Sequence, residues 1–517
     1  MEIQSWLESA QSAQDVLDSV AQHVGSLGAP ELVTAVHVLA KYAEVDAVGN
    51  GGASTPQVQQ QSSTMAMFSR DVRFQSLLSH LRGCASQLDS PRHVMRVLWA
   101  LGKLGASGRD VDSIIASLAE LAWPRFSYFT SMELSNSLWG LARLSKGPAG
   151  GNPNSVLFQF VSALIAEGTP RVETFSAQCL SNSLWAVAKL ELSGPASDTF
   201  SNACVAQIRA NTFSDTTPQG FANSIWAVAK LRLAQGVAVP FCVDAARYAT
   251  SEPGDLHCFM PQELSMTIWA MAKVVGRRAG AKSSSSLPPE VEKLALNIAE
   301  EGTRRLSDMS PQGLSNIAWA LATLQITTHA PARRFILAAA SMSAPGLHAF
   351  PPQAIANFCW ALGRLADASH DLAAFGAAAA REALRRESDF SWQDLSGIVS
   401  ALMNTGLTNV GEVQEFAAEL ATRAAGCCDS IGNQALLNIA LAAARLRVHP
   451  DTLRPMAWGI AEVFTTRMHR LNEIDLRQWL EVQRYCGLPG GMAHNTSSQG
   501  PRSAMSWQQQ QQQQQQQ

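Results

Sequence analysis

One pattern of apolar and polar positions recurs along most of this chain. It is clearest in residues 180–190, Leu-Ser-Asn-Ser-Leu-Trp-Ala-Val-Ala-Lys-Leu, which we number as positions 1 to 11. An α-helix turns by about 100° per residue, so the apolar positions 1, 5 and 8 fall on one face. Position 6 lies on a second side of the same helix. The pattern therefore predicts a helix that is apolar on two sides, as a helix packed between neighbours must be.

The pattern occurs eleven times, at intervals of about 40 residues. Position 1 is apolar in every copy, and positions 7 and 9 are mostly Ala or Gly, which allows a neighbouring helix to approach closely. Self-similarity with a period of this length is the signature of a solenoid. Position 6 of the eleven copies is held by His37, Trp99, Trp139, Trp185, Trp226, Trp269, Trp319, Trp360, Ser400, Leu441 and Glu481.

A second apolar run lies between successive copies, for example at 111–123, 155–167, 291–301 and 372–386, and each run is long enough for three helical turns. Each repeat is thus predicted to be a hairpin of two helices, A and B, of which B carries the pattern. The predicted fold class is all-α, an α-solenoid (superhelix) of about eleven two-helix repeats of about 40 residues.

Segments that interrupt the pattern set the predicted boundaries. Residues 1–47 are expected to hold N-terminal helices and the first repeat, 48–66 a flexible insertion rich in Gly, Ser and Gln, and 67–486 the solenoid. Further insertions at 145–154 and 276–289 also follow a B helix, so we expect all three to leave the solenoid at one edge. Residues 487–517 end in a run of Gln and are predicted to be a disordered tail.

Composition argues against several classes of function. The formal net charge is only -3, and no apolar run is long enough to span a bilayer, so no membrane contact is expected. The nine cysteines form no C-x-x-C pair, which argues against a metal site. Because the chain also lacks a glycine-rich phosphate loop and a repeated acid pair, we expect no enzymatic activity, no cofactor and no small-molecule substrate.

Position 10 is basic in eight of the eleven copies. Stacked helices lie ~8–10 Å apart, so this ladder would present positive charge at intervals that an extended RNA backbone can follow. The alternative is that a cation in the last turn of any helix interacts favourably with the helix dipole. The eight residues are Lys41, Lys103, Arg143, Lys189, Lys230, Lys273, Arg364 and Arg445.

Position 3 is Asn in six copies and lies close to position 10 around the helix. Asn182, Asn223 and Asn316 are therefore candidate RNA contacts, although a hydrogen bond between repeats is the preferred interpretation. The Gln that recurs two residues before position 1, which we call position −1, is interpreted as a helix cap. The seven Trp residues at position 6 are interpreted as core, with base stacking as the lesser alternative. Base discrimination is predicted at position 2 and at the residue before position 1, because both vary.

The repeated motif Phe-x-Pro-Gln-x-Leu-Ser-Asn-x-x-Trp-Ala-Leu-Ala-x-Leu is nearly complete in residues 309–324 and 350–365. It resembles the octotricopeptide repeat, and the resemblance covers about residues 30–486. Similar helical arrays occur in FAST-kinase-like leucine-rich proteins and in kinetoplastid RNA-editing substrate-binding complex subunits. The resemblance implies RNA binding in an organelle, the mitochondrial matrix or alternatively the chloroplast, in RNA processing, stability or translation, and in an RNA-editing complex or ribonucleoprotein granule.

Two functions therefore stand as expectations. The first is an RNA-binding solenoid whose partners are single-stranded RNA and other RNA-processing proteins, and whose predicted contacts are the position-10 cations with Asn182, Asn223 and Asn316. The second is a scaffold for protein–protein interaction of the helical-repeat type, which the near-neutral net charge favours.

Overall fold

The computed structural model describes residues 10–49, 68–251, 255–276, 286–365 and 370–488, apart from 69, 89, 146, 148–151 and 153. These residues form twenty-two α-helices and no β-strand. The predicted insertion at 48–66 and the tail at 487–517 lie almost entirely outside the described residues, as do large parts of the other two insertions.

The helices alternate between the two predicted kinds. The odd-numbered helices are the A helices: α1 Ala13–His23, α3 Val72–Cys84, α5 Arg109–Ala122, α7 Val156–Gly168, α9 Pro195–Ala210, α11 Gln235–Ala249, α13 Pro289–Arg304, α15 Ala330–Ser343, α17 His370–Arg385, α19 Gly411–Ala425 and α21 Pro450–Arg467. The even-numbered helices are the B helices: α2 Ala29–Gly49, α4 Pro91–Leu104, α6 Ser131–Leu144, α8 Ala177–Lys189, α10 Pro218–Leu231, α12 Pro261–Val275, α14 Pro311–Thr323, α16 Pro352–Leu362, α18 Trp392–Asn404, α20 Asn433–Arg445 and α22 Glu473–Cys486. The prediction of eleven two-helix repeats is confirmed for this part of the chain.

The chain forms two compact units, Met1–Tyr248 and Ala249–Gln517. In the first unit each B helix from α2 to α10 packs against the next B helix, and the A helices from α1 to α9 do the same. In the second unit the B helices from α12 to α22 and the A helices from α13 to α21 pack in the same order. Each unit is therefore an α-solenoid with one layer of A helices and one layer of B helices.

Side-chain caps fix where the B helices begin. The hydroxyls of Ser176, Thr217 and Ser310 accept hydrogen bonds from the backbone N–H three residues later, at 3.1–3.2 Å. Thr130 and Glu133 form a reciprocal capping box. Such caps satisfy backbone donors that the first helical turn leaves without partners. Thr217-Pro218, Ser310-Pro311 and Thr130-x-x-Glu133 thus mark the starts of α10, α14 and α6.

The small residues at positions 7 and 9 let the B helices touch through their backbones. A Cβ atom on Gly140 of α6 would lie 2.4 Å from the carbonyl oxygen of Leu98 in α4. A Cβ atom on Gly102 of α4 would lie 2.9 Å from the carbonyl oxygen of Gly140. No side chain fits at these distances, so Gly at both positions is what brings α4 and α6 together.

Arginines near the ends of A helices tie successive repeats together, a feature that the sequence pattern did not predict. Arg171 donates to the carbonyl oxygen of Phe129 at 2.6 Å, Arg305 to Phe259 at 2.7 Å and Arg386 to Phe350 at 2.9 Å. Each accepting Phe lies just before the B helix of the preceding repeat. A glutamate four residues before each arginine, Glu167, Glu301 or Glu382, forms an ion pair with it. These contacts hold the N-terminal ends of the B helices in register.

Within the described part of the chain, no helix combines the length and apolar character needed to cross a membrane.

Candidate nucleic-acid interface

Several B helices are buried except along one narrow line of residues, whereas α22 also exposes residues on its other faces. In α8 this line consists of Gln178, Asn182, Trp185 and Lys189, and the remaining residues are buried apart from Ala177 in the first turn. The four residues are at positions −1, 3, 6 and 10. Their spacing of i, i+4, i+7 and i+11 places them on one face of the helix. We call the residues at these four positions of the B helices the stripe.

The seven Trp residues at position 6 belong to the stripe and not to the core. All seven are partly exposed, so they lie at the edge of the core and are not enclosed in it. The small residues at positions 7 and 9 bring the B helices so close together that an indole cannot be enclosed between them. The ring therefore lies at the edge of the contact, with one side packed and one side facing solvent.

The aromatic rings of successive repeats meet along the stripe. The ring centroids of Trp139 and Trp185 are 6.2 Å apart, and those of Trp319 and Trp360 are also 6.2 Å apart. At the start of the first unit, His37 occupies position 6 and its ring lies 5.0 Å from that of Trp99. These separations are within the range in which aromatic rings attract one another.

The position-10 cations lie over these indoles. The charged groups of Lys103, Arg143 and Arg364 are 4.7, 5.7 and 4.9 Å from the ring of the Trp four residues earlier. Lys273 lies between two indoles, 5.5 Å from Trp269 and 4.9 Å from Trp319. A cation over an aromatic face is stabilised by ~0.5–1 kcal/mol at an exposed site. The stripe thus pairs an aromatic surface with a positive charge in two repeats of each unit.

Two of the predicted RNA-contacting cations are engaged by acids instead. Lys230 forms an ion pair with Glu191 at 2.7 Å, and Arg445 forms two hydrogen bonds with Glu481 at 2.7 and 2.8 Å. The hydrogen bond from Arg445 holds the pKa of Glu481 below its usual range, so this acid is charged at neutral pH. Lys189, by contrast, is exposed and forms no ion pair with the residues that the structure describes.

The amide side chains of the stripe interact with one another. Asn182 donates to Asn136 of the preceding repeat at 3.4 Å, so the predicted hydrogen bond between repeats is confirmed for this pair. Asn316 instead accepts from Gln312 of its own helix at 2.9 Å. Asn223 is partly exposed, and no hydrogen bond of its side chain is found within the described ranges. The interpretation of the position −1 Gln as a cap is wrong at Gln312, because Ser310 caps that helix.

Several of the residues predicted to discriminate bases are not available for that role. Ser181, Ser265 and Ser315 at position 2 are buried, and each donates to the carbonyl oxygen of the residue at position −1 at 2.9–3.0 Å. At the residue before position 1, Cys179 is buried and Glu133 is held in a capping box. In α8 the exposed residues near the helix start are at positions −1 and 3 instead, on the same face as the indole.

The chemistry of the stripe suits the binding of a ligand. Each complete copy offers amides that both donate and accept hydrogen bonds, a flat indole and a cation. Indoles stack on bases and cations neutralise phosphates. Among the described residues, no cluster of three or more His, Cys, Asp and Glu side chains is arranged to hold a metal ion.

Comparison with known proteins leaves the family resemblance a prediction, since no model of a protein family matches this chain and no curated protein matches it either.

Proposed function

We propose that this chain is an organellar RNA-binding protein that holds single-stranded RNA along the stripe and acts in RNA processing, stability or translation. The observation that carries the proposal is the partly exposed indole with a cation over it, repeated on B helices of both units. Its assignment to the mitochondrial matrix or the chloroplast rests on the family resemblance, and imaging of the tagged full chain beside organelle markers tests it.

Single-stranded RNA fits the stripe better than a duplex does. A base must be unpaired and unstacked before it can lie against an indole, and bases in single strands meet this condition. The cation beside each indole is then placed to neutralise the phosphate that accompanies the base. A folded duplex would offer its phosphates to the cations but would leave the indoles without a partner.

The near uniformity of the stripe argues for weak base discrimination. Position −1 is Gln in seven copies and position 3 is Asn in six. A surface that repeats the same side chains offers each nucleotide the same contacts. The affinity should therefore depend more on the length and the charge of the RNA than on its base sequence. The departures at Arg92, Met132 and Met266 are the places where preference for a particular base is expected.

A protein-interaction scaffold is the second candidate, and one observation favours it. Met132 and Ile474, both at position −1, expose 59% and 52% of their surface. Exposed apolar side chains on a polar stripe are common where a peptide or a second protein binds. These two residues belong to the stripe of only two helices, whereas the indoles and cations recur in most repeats, so RNA remains the better candidate.

The first test replaces three consecutive position-10 cations, Lys103→Gln, Arg143→Gln and Lys189→Gln. Gln retains helix propensity and removes the charge. On a single strand, each phosphate that the variant no longer neutralises should lower the slope of log affinity against log salt by about 0.7, so the slope of the triple variant should be smaller by about 2. Filter binding of an unstructured RNA at several salt concentrations measures this change.

The matched control places the same charge change on A helices. Arg109, Lys293 and Arg334 are exposed on α5, α13 and α15, and their joint replacement by Gln should leave the salt slope unchanged. An equal decrease of the salt slope in both triple variants would mean that the net charge of the protein, and not the stripe, governs binding. If the wild-type chain binds no RNA under any salt condition, the scaffold becomes the favoured function. If only melting temperatures shift, the helix-dipole interpretation of position 10 is correct.

A further inference from the structure

One B helix carries a denser set of cations than the others. At positions −1 and 3, where α8 has Gln178 and Asn182, helix α4 has Arg92 and Arg96. Together with Trp99 and Lys103, these residues make the stripe of α4 one indole and three cations. Arg92 is exposed, and Arg96 and Lys103 are partly exposed.

The neighbouring helix α2 adds a fourth cation to this group. Lys41 is exposed at position 10 of α2, one turn after His37. The His37 ring packs against Trp99, and its Nδ1 atom is buried without a hydrogen-bond partner among the described residues. Burial, together with the positive charges of Arg96, Lys41, Lys103 and Arg92, lowers the pKa of His37 to about 4. His37 is therefore neutral at pH 7, and four cations converge on its surroundings.

This concentration of charge exceeds what a passing RNA backbone requires. The stripe of every other B helix has at most one cation, at position 10. One cation suits a phosphodiester, which carries a single negative charge. A terminal phosphomonoester carries about −1.5 to −2 charges at pH 7 and presents three acceptor oxygens. Arginine forks bind such oxygens in pairs, and two arginines one turn apart on a single face can approach the same phosphate.

We propose that the cluster of Lys41, Arg92, Arg96 and Lys103 binds the terminal phosphomonoester of an RNA whose chain continues along the stripe of the first unit. The inference rests on the proposed function, since it concerns one end of the same bound strand. It assigns a polarity to binding, because one end of the strand is fixed at α2 and α4. The phosphate can be at the 5′ or the 3′ end, and the probes below distinguish the two.

The test uses three RNA oligonucleotides of one sequence with an internal fluorophore, bearing a 5′-phosphate, a 3′-phosphate or hydroxyls at both ends. Fluorescence anisotropy with the full chain should show that one of the phosphorylated RNAs binds about ten-fold more tightly than the hydroxyl form. Inorganic phosphate at millimolar concentration should reduce that preference without displacing the hydroxyl RNA.

Two variants separate the cluster from the rest of the stripe. Arg92→Gln with Arg96→Asn gives α4 the residues of α8. The loss of two charges should weaken binding of all three RNAs, but the difference in affinity between the phosphorylated and the hydroxyl forms should disappear. Lys41→Gln, on a different helix, should weaken the preference without abolishing it. As a charge control, Gln178→Arg with Asn182→Arg should tighten binding of all three RNAs equally. Thermal melting of each variant confirms that it is folded.

The outcomes keep this inference distinct from the proposed function. If the wild-type chain binds all three RNAs equally, the inference is wrong and the proposed function stands. If the preference exists but survives both the double variant and Lys41→Gln, the phosphate binds elsewhere and the inference is again wrong. If the chain binds none of the RNAs, the proposed function fails, and the inference fails with it.

Discussion

A tryptophan at the solvent-facing edge of a helix contact serves a solenoid differently from a buried phenylalanine. Phe200 of α9 is fully enclosed and lies 6.4 Å from the ring of Phe175, so its whole side chain contributes to the core. Trp185 lies 6.2 Å from the ring of Trp139 and is only partly buried, so part of its surface is in contact with solvent. Under the proposed function, the same aromatic character acts mainly on stability at Phe200 and mainly on recognition at Trp185.

The contrast predicts opposite effects for two substitutions. Trp185→Ala removes one stacking surface and should weaken single-stranded RNA binding by about ten-fold or more, since stacking on a base contributes ~1–3 kcal/mol. Phe200→Leu should reduce the free energy of unfolding by about 1–2 kcal/mol and leave RNA affinity unchanged. Thermal melting and fluorescence anisotropy on the same preparations measure both quantities. A Trp185→Ala protein with normal affinity and a strongly lowered melting temperature would return the indole to a purely structural role.

At the scale of the helices, the spacing of the B layer is set by contacts that tolerate no side chain. Gly102 and Gly140 face each other across α4 and α6, and a Cβ atom on Gly140 would meet the backbone of Leu98 and Trp99 within 3 Å. Because the indoles of the stripe lie at the edges of these contacts, the spacing of the B helices also sets the spacing of the rings.

Gly140→Ala should therefore act on stability and on binding together. The added methyl must push α6 away from α4, and overpacking of this kind costs ~1–3 kcal/mol. Gly83→Ala in α3 is the matched control, because its methyl group would meet open space and should be neutral or stabilising by up to ~1 kcal/mol. Chemical denaturation measures the free energy of unfolding of both variants, and fluorescence anisotropy measures their RNA binding. If Gly140→Ala is as stable as Gly83→Ala, the helices have room to move apart and the contact does not set their spacing.

The hairpins could be predicted from the sequence because helical periodicity and capping are local properties. A period of 3.6 residues, a hydroxyl before Pro218 or Pro311 and apolar residues at positions 1, 5 and 8 depend only on neighbours in the chain. The hydrogen bond from Arg171 to Phe129 joins residues 42 positions apart, so it depends on how two repeats stack. A Glu four residues before an Arg recurs at 167, 301 and 382, and that recurrence was the available signal.

The candidate site was predicted less completely than the fold, because much of it depends on how neighbouring repeats pack and not on local sequence. Positions 3 and 10 could be placed on one face from the helix angle alone. Whether Trp185 is enclosed depends on how closely the next helix approaches, and whether Lys230 is paired depends on Glu191 at the end of α8. Sequence variation was also misleading, because Cys179 and Glu133 vary for reasons of packing and capping and not of recognition.

For the molecule as a whole, the distribution of charge matters more than its sum. The chain has 39 basic and 42 acidic residues, and a net charge of -3 by itself favours no anionic ligand. The stripe departs from this balance because most of its position-10 residues are cations, whereas acids reach it at only a few places. Glu191 and Glu481 are two such acids, one in each unit, and each engages a cation of the stripe. They therefore limit the charge that the stripe offers to RNA.

Removing those two acids should increase RNA binding. Glu191→Gln releases Lys230 and Glu481→Gln releases Arg445, so the stripe acquires two cations that can bind phosphate. The slope of log affinity against log salt should become steeper by about 1.4, or 0.7 for each additional phosphate neutralised. The cost in stability should be small, because exposed ion pairs contribute only ~0.2–1 kcal/mol.

The control, Asp110→Asn with Glu412→Gln, makes the same change of net charge but releases Arg82 and Arg381 on A helices, where no effect on the slope is expected. If the control steepens the slope as much as the stripe variant does, RNA responds to the overall charge of the protein, and the line of indoles and cations on the B helices is not where the strand lies.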